Sequence, residues 1–368
     1  MRVQLVDPSA FTPPYDHALC AALARGGAEV ELVTSRFAYG AVAPADGYAV
    51  RELFYRHVRG APGSRRRRFG KLLEHVPDML RYRRAARAAD VAHFQWLTMQ
   101  WLDARLLPGG PLVLTAHDLL PREPRPGQTR AQRRLYRAVD AIVVHSDYGR
   151  GQLVHRLGID PAKVHVVHHG VFEHLTRQPA GPGLPDRLSG VRGPVVLFFG
   201  LLRPYKGLQT LLEAWRGVKD AELWIVGRPR MALEPLRVRA PAGVRFVPRF
   251  VADAELPAYF RRADIVVLPY SRTERFDQSG VLATALAFAK PVLLTEVGGF
   301  PELAATGAAR LVAPDDPDAL REALTDLIGD TGARRRLAVA AAAAAAGPYS
   351  WDEAARRTLA IYRSLLGL

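Results

Sequence analysis

The sequence has little cysteine, little lysine and no long apolar run. One cysteine, Cys20, excludes an internal disulfide and is typical of a reducing compartment, so we expect a cytoplasmic protein. No Cys/His cluster has zinc-ligand spacing, and no apolar run reaches the ~20 residues that a membrane span needs. The first residues, MRVQLVDPS, lack a signal-peptide pattern and predict a first strand. We therefore expect a globular protein that needs no metal and no resident cofactor.

Arginine supplies nearly all of the positive charge. Only five of the 51 basic residues are lysines, and the formal net charge is +15. Three partners fit such a charge: nucleic acid, an anionic membrane surface or phosphorylated ligands. A composition rich in Ala, Arg, Gly and Pro explains it equally well without any partner. The charge alone therefore names no function.

Strand-like apolar runs alternate with helical patterns along the whole chain, which predicts an α/β fold with parallel sheets. A Pro- and Gly-rich stretch without periodicity interrupts this alternation, and 368 residues are enough for two domains. We predict two doubly wound, Rossmann-like domains that face each other across a cleft. The predicted limits are a first domain over 1–175, a linker over 176–194, a second domain over 195–350 and, over 351–368, a helix that packs back toward the first domain.

A basic stretch over 65–87 contains apolar residues at helical spacing. Such a helix is able to lie on an anionic bilayer, at the inner face of the membrane for a cytoplasmic protein. A solvated charged face is the alternative. No helix-turn-helix, RNA-recognition or zinc-finger pattern accompanies the charge, so we expect no nucleic-acid partner.

The stretch Val195–Trp215 contains a candidate phosphate site, and a solvated βα loop is the alternative interpretation. A buried strand ends at Gly200, the cations Arg203 and Lys206 follow, and a helix then begins. A strand–turn–helix corner directs cations and free helix N–H groups at one point, which suits a phosphate or a diphosphate.

A second stretch, Gln278–Glu302, contains another anion-binding pattern. Ser279 and Gly280 open a helix of small residues, whose first N–H groups are able to bind an anion. Both loops belong to one half of the chain and to one predicted sheet edge. Together they predict a diphosphate held between them.

Four segments of the second half resemble the nucleotide-binding half of GT-B glycosyltransferases, and the retaining enzymes of glycosyltransferase family 4 most of all. They are FFGLLRPYKGLQTLLEAW, LWIVG, RADIVVLPY and AFAKPVLLTEVGGFPE. The first half resembles the family more loosely, through TPPYDHALCAALARGGAEVELVT, LTAHDLLP and VHVVHHGV. The resemblance covers nearly the whole chain. It implies a GT-B fold and metal-independent transfer of a sugar from a nucleotide-diphosphate sugar to an acceptor hydroxyl, with retention of configuration.

The resemblance also implies site residues. Arg203 and Lys206 would neutralise the departing diphosphate, and the N–H groups of Ser279, Gly280 and Val281 would hold the distal phosphate. His117, in LTAHDLLP, would lie against the sugar, and a helix-capping or core histidine is the alternative interpretation. The remaining donor-binding candidates are Gly200, Gly227, Arg228, Phe250, Val251, Gln278 and Thr284.

One departure from the family concerns a pair of glutamates eight residues apart. Counted back from Lys290, the pair falls on Phe276 and Thr284, and counted forward from Glu274 its second member is Leu282. The chain instead resembles a branch that has Q-S-G-V at the helix start. Thr284 would then make a weaker contact to the ribose, and Glu274 or Asp277 would replace the first glutamate as a catalytic candidate.

Other functions fit the same fold. A nucleotide-sugar epimerase, a glycoside phosphorylase and a non-catalytic nucleotide-sugar-binding protein are the alternatives. The sequence does not identify the acceptor, and a glycan, a lipid-linked intermediate and a small-molecule aglycone all stay open. The aromatic residues of HFQWLTMQWLD, over 93–103, are either an apolar acceptor wall or core.

Overall fold

The chain folds into two compact units, as a computed structural model shows. Unit 1 consists of Met1–Gly170 and Trp351–Leu368, and unit 2 of Val171–Ser350. Residues 176–194, the predicted linker, are part of unit 2. The structure describes residues 1–38, 40, 42, 44–120, 126–178, 181, 183–273 and 278–368.

Unit 1 is built on a seven-stranded parallel sheet in the order β3-β2-β1-β4-β5-β6-β7. Its strands are β1 Arg2–Asp7, β2 Glu29–Ser35, β3 Ala49–Phe54, β4 Val91–Phe94, β5 Leu112–Thr115, β6 Ala141–Val144 and β7 Val164–Val166. Between them lie α1 Pro13–Arg25, α2 Arg65–Ala85, α3 Gln100–Leu106, α4 Gln128–Ala138 and α5 Asp147–Gly151.

Unit 2 is built on a six-stranded parallel sheet in the order β10-β9-β8-β11-β12-β13. Its strands are β8 Val195–Phe199, β9 Glu222–Val226, β10 Val244–Val247, β11 Ile265–Leu268, β12 Val292–Thr295 and β13 Ala309–Val312. Its helices are α6 Glu173–Thr176, α7 Asp186–Ser189, α8 Leu208–Ala214, α9 Glu234–Val238, α10 Leu256–Arg262, α11 Gly280–Ala287, α12 Phe300–Ala304, α13 Pro317–Gly329 and α14 Thr331–Ala346.

The last helix, α15 Trp351–Leu366, belongs to unit 1 and packs against α1. Leu359 and Tyr362 are buried there with Leu19 and Leu23 of α1. The Tyr362 hydroxyl also lies 2.6 Å from Nδ1 of the buried His93 on β4. Helix α15 is therefore part of the core of unit 1.

The central strands are apolar because helices cover both faces of each sheet. Every residue of β4, β5, β6, β11 and β12 is buried. Strand-like apolar runs of the sequence coincide, to within a residue or so, with twelve of the thirteen strands in the described part of the chain. The fold class predicted from the sequence, two Rossmann-like α/β domains, is confirmed.

Helix α7 lies within the segment that was predicted as a linker, and the structure also differs from the sequence pattern at two other elements. The first is β3, which was not predicted; it lies at an edge of the sheet, and its first four residues are exposed. The second is the segment Asp147–Leu157, whose sequence has the pattern of one helix but which divides into α5 and a π-helical turn over Gln152–Arg156. No helix within the described ranges is long and apolar enough to cross a membrane.

Gly170 tests the packing of α15, because a Cβ there would lie 2.3 Å from Cδ2 of Trp351. The Trp351 ring packs edge-on against Tyr15 of α1, at 4.9 Å between ring centroids. We expect Gly170→Ala to displace Trp351 and to lower the free energy of unfolding by about 1–3 kcal/mol. Scanning calorimetry measures this as a loss of about 2–4 °C in Tm for each kcal/mol.

Gly329→Ala is the matched control, because a Cβ at this helix end would meet no atom of the described chain within 4 Å. Its Tm should stay the same or rise slightly. Equal Tm values for the two variants would contradict the assignment of α15 to the core of unit 1.

Candidate functional site

Both units place polar residues at the carboxyl edge of a parallel sheet, where open α/β sheets bind their ligands. In unit 2, β8 ends at Gly200, whose φ of +111° suits glycine. A Cβ at Gly200 would lie 3.0 Å both from Lys206 Nζ and from a methyl group of Val281. The structure therefore brings the Arg203–Lys206 loop and the start of α11 together at the end of β8.

Lys206 is the cation that this arrangement holds most firmly. It ends a single 3₁₀ turn, Pro204–Lys206, and its side chain is buried. Its Nζ lies 5.1 Å from the centre of the Tyr270 ring. A buried ammonium group above an aromatic face keeps its position better than one on a solvated stem, because few rotamers remain.

Tyr270 connects the two loops. It follows β11, and its hydroxyl lies 3.0 Å from Ser279 Oγ, directly before α11. The Thr295 hydroxyl donates a hydrogen bond of 2.7 Å to the Tyr270 carbonyl. Tyr270 was not among the predicted site residues. It could have been predicted from its position directly after a buried strand, at the carboxyl edge of the sheet.

The N-terminus of α11 is open to a ligand. Ser279 is its N-cap, but within the described residues the Ser279 side chain caps no N–H group of the helix. Gly280 is exposed, and the first N–H groups of any helix lack partners inside the helix. The Ser279 N–H itself lies 3.0 Å from Gln278 Oε1. The N–H groups of Gly280 and Val281 are thus the better anion donors.

Thr284 is buried inside α11, and its hydroxyl donates to the Gly280 carbonyl at 2.9 Å. This bond within the helix uses the only proton of the hydroxyl, so any ribose contact would use its oxygen as an acceptor.

Gly227 and Arg228 lie beside Gly200. The φ of Gly227 is +146°, and a Cβ there would lie 1.8 Å from the Gly200 carbonyl oxygen. The Leu202 N–H donates to the Arg228 carbonyl at 3.0 Å, which keeps the two loops together. The Arg228 side chain is exposed.

The remaining donor-site candidates lie in different environments. Val251 is part of the core of unit 2, whereas 65% of Phe250 is exposed. Arg203 is half-buried at the start of the 3₁₀ turn. Glu274 and Asp277 lie outside the described residues.

In unit 1, His117 follows β5 within a group of aromatic rings. It stacks on Trp96 at 4.9 Å between ring centroids and meets Tyr15 edge-on at 4.6 Å. Its Nε2 lies 3.0 Å from the side-chain amide of Gln95, and its Nδ1 lies 3.4 Å from His145 Nε2. Both imidazole nitrogens of His117 therefore face protein groups.

One assignment of hydrogens satisfies the whole chain of contacts. His145 Nδ1 lies 2.9 Å from the Val167 carbonyl, which only accepts, so this nitrogen carries the hydrogen. His145 Nε2 is then an acceptor for His117 Nδ1–H. The Gln95 atom at 3.0 Å from His117 Nε2 is Oε1, so His117 Nε2 accepts from Gln95 when the side-chain amide is turned to present its nitrogen instead.

The histidines of this group are neutral at physiological pH. Burial, followed by the neighbouring His145, His169 and His93, holds the pKa of His117 well below its usual value. Burial lowers the pKa of His145 to about 3 and that of His169 to about 4. His117 is thus an uncharged, positioned ring. His145 and Gln95, which hold it, were not predicted, because nothing in their sequence spacing connects them with His117.

The aromatic segment over 93–103 is divided between core and surface. Phe94 is fully buried, Trp96 packs on the exposed Phe11, and 58% of Trp101 is exposed. Neither of the two sequence interpretations, acceptor wall or core, describes the whole segment.

Across the described ranges, no group of three or more His, Cys, Asp or Glu side chains is arranged to hold a metal ion.

Two family profiles match the chain. Residues 193–330 match the glycosyl transferases group 1, and residues 15–173 match glycosyltransferase family 4. The match to the second half includes Gly200, Lys206, Tyr270 and the start of α11.

Curated relatives cover most of the chain. A D-inositol 3-phosphate glycosyltransferase of Xylanimonas cellulosilytica is 32% identical over 94% of this chain and 89% of its own length. An enzyme with the same name from Kineococcus radiotolerans is 31% identical over 94% of this chain and 88% of its own length. An alpha-maltose-1-phosphate synthase of Mycolicibacterium smegmatis is 29% identical over 76% of this chain and 80% of its own length.

Solved structures show the same fold. A sucrose-phosphate synthase from Thermosynechococcus elongatus superposes with a TM-score of 0.75 at 19% identity, covering 100% of this chain and 99% of its own. HepE of Anabaena, in complex with UDP-glucose, superposes with a TM-score of 0.70 at 19% identity, over 98% of this chain and 100% of its own. The chain is a glycosyltransferase of GT-B architecture and belongs to glycosyltransferase family 4.

Proposed function

We propose that the protein is a retaining, metal-independent glycosyltransferase that transfers a sugar from a nucleotide-diphosphate sugar to an acceptor hydroxyl. The observation that carries this proposal is the meeting of Lys206 with the N-terminus of α11 at Gly200. A fixed cation and two helix N–H groups that bond no described residue, together at one point, suit a ligand with two adjacent phosphates.

The same groups favour departure of the diphosphate. Negative charge grows on the diphosphate oxygens as the bond to the anomeric carbon breaks. Lys206 and the N–H groups of Gly280 and Val281 stabilise that charge without reorganising, because the Tyr270 ring and the helix backbone already hold them. Arg203 adds a second cation on the same loop. Metal independence is part of the proposal, since these groups supply the positive charge that a metal ion supplies in other transferases.

Uridine diphosphate is the first nucleotide to test. HepE, which shares the fold, has been solved with UDP and with UDP-glucose. Relatives of this chain are named for reactions that involve an inositol phosphate and a maltose phosphate. The acceptor panel therefore includes phosphorylated polyols and sugars together with lipid-linked and aglycone acceptors.

The two cations are tested by Arg203→Ala and Lys206→Met. Methionine keeps the aliphatic stem that packs near Tyr270 and removes only the charge. We expect kcat for transfer to fall about 10²–10³-fold in each variant, the usual loss when one transition-state donor is removed. Donor consumption is measured by product analysis with and without acceptor.

Arg216→Ala and Lys219→Met are the matched controls, because both are exposed cations of the same unit. They should retain full activity. Full activity in Lys206→Met would contradict the proposed role. Conversion of the donor without acceptor would favour an epimerase, and a requirement for inorganic phosphate would favour a phosphorylase.

The helix N-terminus is tested by a pair of substitutions at Gly280. Gly280→Pro removes one N–H at the first helical position, where proline fits, and Ser279 is already extended (φ −124°, ψ 121°), as a residue before proline should be. Gly280→Ala keeps the N–H, and its Cβ would meet Phe172 at an ordinary 3.6 Å. We expect Gly280→Pro to weaken UDP binding at least about tenfold, since a hydrogen bond to a charged group is lost.

Thermal-shift titration with UDP, ADP and GDP provides the measurement, because a ligand at 100 times its Kd stabilises the folded state by about 2.7 kcal/mol. Equal affinities of Gly280→Pro and Gly280→Ala for the stabilising nucleotide would show that α11 does not hold the phosphate.

His117 belongs to the proposal as a neutral contact to the sugar. Because its pKa is held well below the ordinary value of 6.5, the ring stays uncharged from physiological pH upward. We expect the pH profile of kcat/KM to lack a histidine ionisation between pH 6 and 9. A rise in activity as pH increases through 6.5, absent in His117→Phe, would show that His117 ionises during the reaction.

A further inference from the structure

We propose that unit 1 binds peripherally to the surface of an anionic phospholipid bilayer through the outer face of α2. This inference rests on the arrangement of α2 alone and does not depend on the proposed reaction. Helix α2 runs over Arg65–Ala85, 21 residues, and follows the edge strand β3.

The inner face of α2 fixes the helix to the unit. Its buried residues are His75, Asp78, Met79 and Tyr82. His75 Nε2 lies 2.6 Å from Asp103 Oδ1 on α3, and the Tyr55 N–H donates to Asp78 Oδ2 at 2.7 Å. These bonds set the rotation of α2 about its axis, so the opposite face is held toward solvent.

That outer face is apolar. Phe69, Leu72, Leu73 and Leu80 are 63%, 54%, 63% and 42% exposed, respectively. Residues separated by three, four and eleven positions share one side of a helix, so the four side chains form one stripe. The stripe is about 16 Å long at a rise of 1.5 Å per residue. A row of large exposed apolar side chains is typical of a surface that contacts a partner.

Arginines extend this stripe at both ends. Arg65 and Arg66 lie one turn before Phe69, and Arg83 and Arg84 lie one turn after Leu80, on the same side of the helix. All four side chains are exposed, and among the described residues none of the four takes part in an ion pair closer than 4.0 Å. An apolar centre between basic ends matches a bilayer, whose acyl region lies below a layer of anionic phosphates.

A second copy of the chain fits this face less well. Because both ends of the stripe are basic, parallel and antiparallel pairing of two α2 helices would each bring arginines against arginines. A nucleic acid would meet the arginines but leave the apolar centre of the stripe without a partner. The formal net charge of +15 also attracts the whole chain to an anionic surface.

The test is flotation of the full chain with vesicles. One set contains phosphatidylcholine alone, and the other contains phosphatidylcholine with about one third phosphatidylglycerol. We expect the chain to float with the anionic vesicles and to stay at the bottom of the gradient with the neutral ones. Binding should weaken from 50 to 500 mM salt, because the Debye length shortens.

Two double substitutions separate the electrostatic from the apolar contribution to vesicle binding. Arg65→Gln/Arg66→Gln should weaken the partition into anionic vesicles about 25-fold, at roughly fivefold for each arginine near the surface. Its matched control is Arg216→Gln/Arg335→Gln, which changes two exposed arginines of unit 2.

Leu72→Gln/Leu73→Gln should weaken the partition into anionic vesicles at least about tenfold, because two apolar side chains are lost. Its control is Val238→Gln/Val339→Gln, at residues 77% and 65% exposed.

Light scattering and calorimetry accompany the vesicle assay. All variants should keep the wild-type Tm, since the substituted side chains are exposed, and all should keep the nucleotide-induced thermal shift of the wild type. Equal flotation with both vesicle types, or equal losses in the α2 variants and their controls, would overturn the proposal. So would a dimer in solution that Leu72→Gln/Leu73→Gln dissociates, because the stripe would then bind a second copy.

Discussion

The candidate site of unit 2 depends on one close backbone approach, that of Gly227 to the Gly200 carbonyl. A Cβ at Gly227 would lie 1.8 Å from that oxygen, and a Cβ at Gly207 would lie 1.7 Å from the Pro269 carbonyl oxygen. Only glycine fits at either position, since real side chains do not approach so closely. These contacts place the loop after β8 against the ends of β9 and β11. The positions of Lys206 and of the α11 N-terminus follow from this backbone geometry.

Much of the fold was predictable because buried parallel strands are continuously apolar. Strands such as Ala141–Val144 and Ile265–Leu268 are short apolar runs rich in β-branched residues, and this length and composition favour a strand over a helix. The strand β3 was not predicted, because most of its residues are exposed and its sequence, AVRELF, mixes apolar and charged residues. An edge strand is fixed by its pairing with β2 rather than by its own apolar pattern, and pairing cannot be read from one sequence.

The site was predictable where function is carried by backbone and charge in one segment. The sequence signals were local: a glycine at the end of a strand for Gly200, one of only five lysines for Lys206, and a helix start for Ser279. Contacts between distant segments were not predictable in this way. Tyr270 reaches Ser279 across nine residues, and His145 reaches His117 across 28. Such partners depend on which strands become neighbours, and this depends on the topology of the sheet.

Positive charge occurs in two physically different forms. Lys206 is buried, fixed by an aromatic ring and directed at one point, which suits a small anion. The arginines at the two ends of the apolar stripe of α2, Arg65, Arg66, Arg83 and Arg84, are exposed and lie far apart along the helix, which suits an extended surface. The two forms differ in rigidity. A fixed cation binds an anion that has the matching shape, whereas a mobile side chain responds to the average electrostatic potential of a charged surface. A count of basic residues cannot separate the two.

The placement of α15 has a consequence for the order in which the protein is made. Residues 171–350, which form unit 2, are all synthesised before Leu359 and Tyr362 are available to cover α1 and to bond His93. On the ribosome, unit 2 has its complete sequence first, although most of unit 1 precedes it in the sequence. The nascent unit 1 therefore keeps an uncovered apolar face until α15 has been synthesised, a period in which a chaperone has a defined surface to protect.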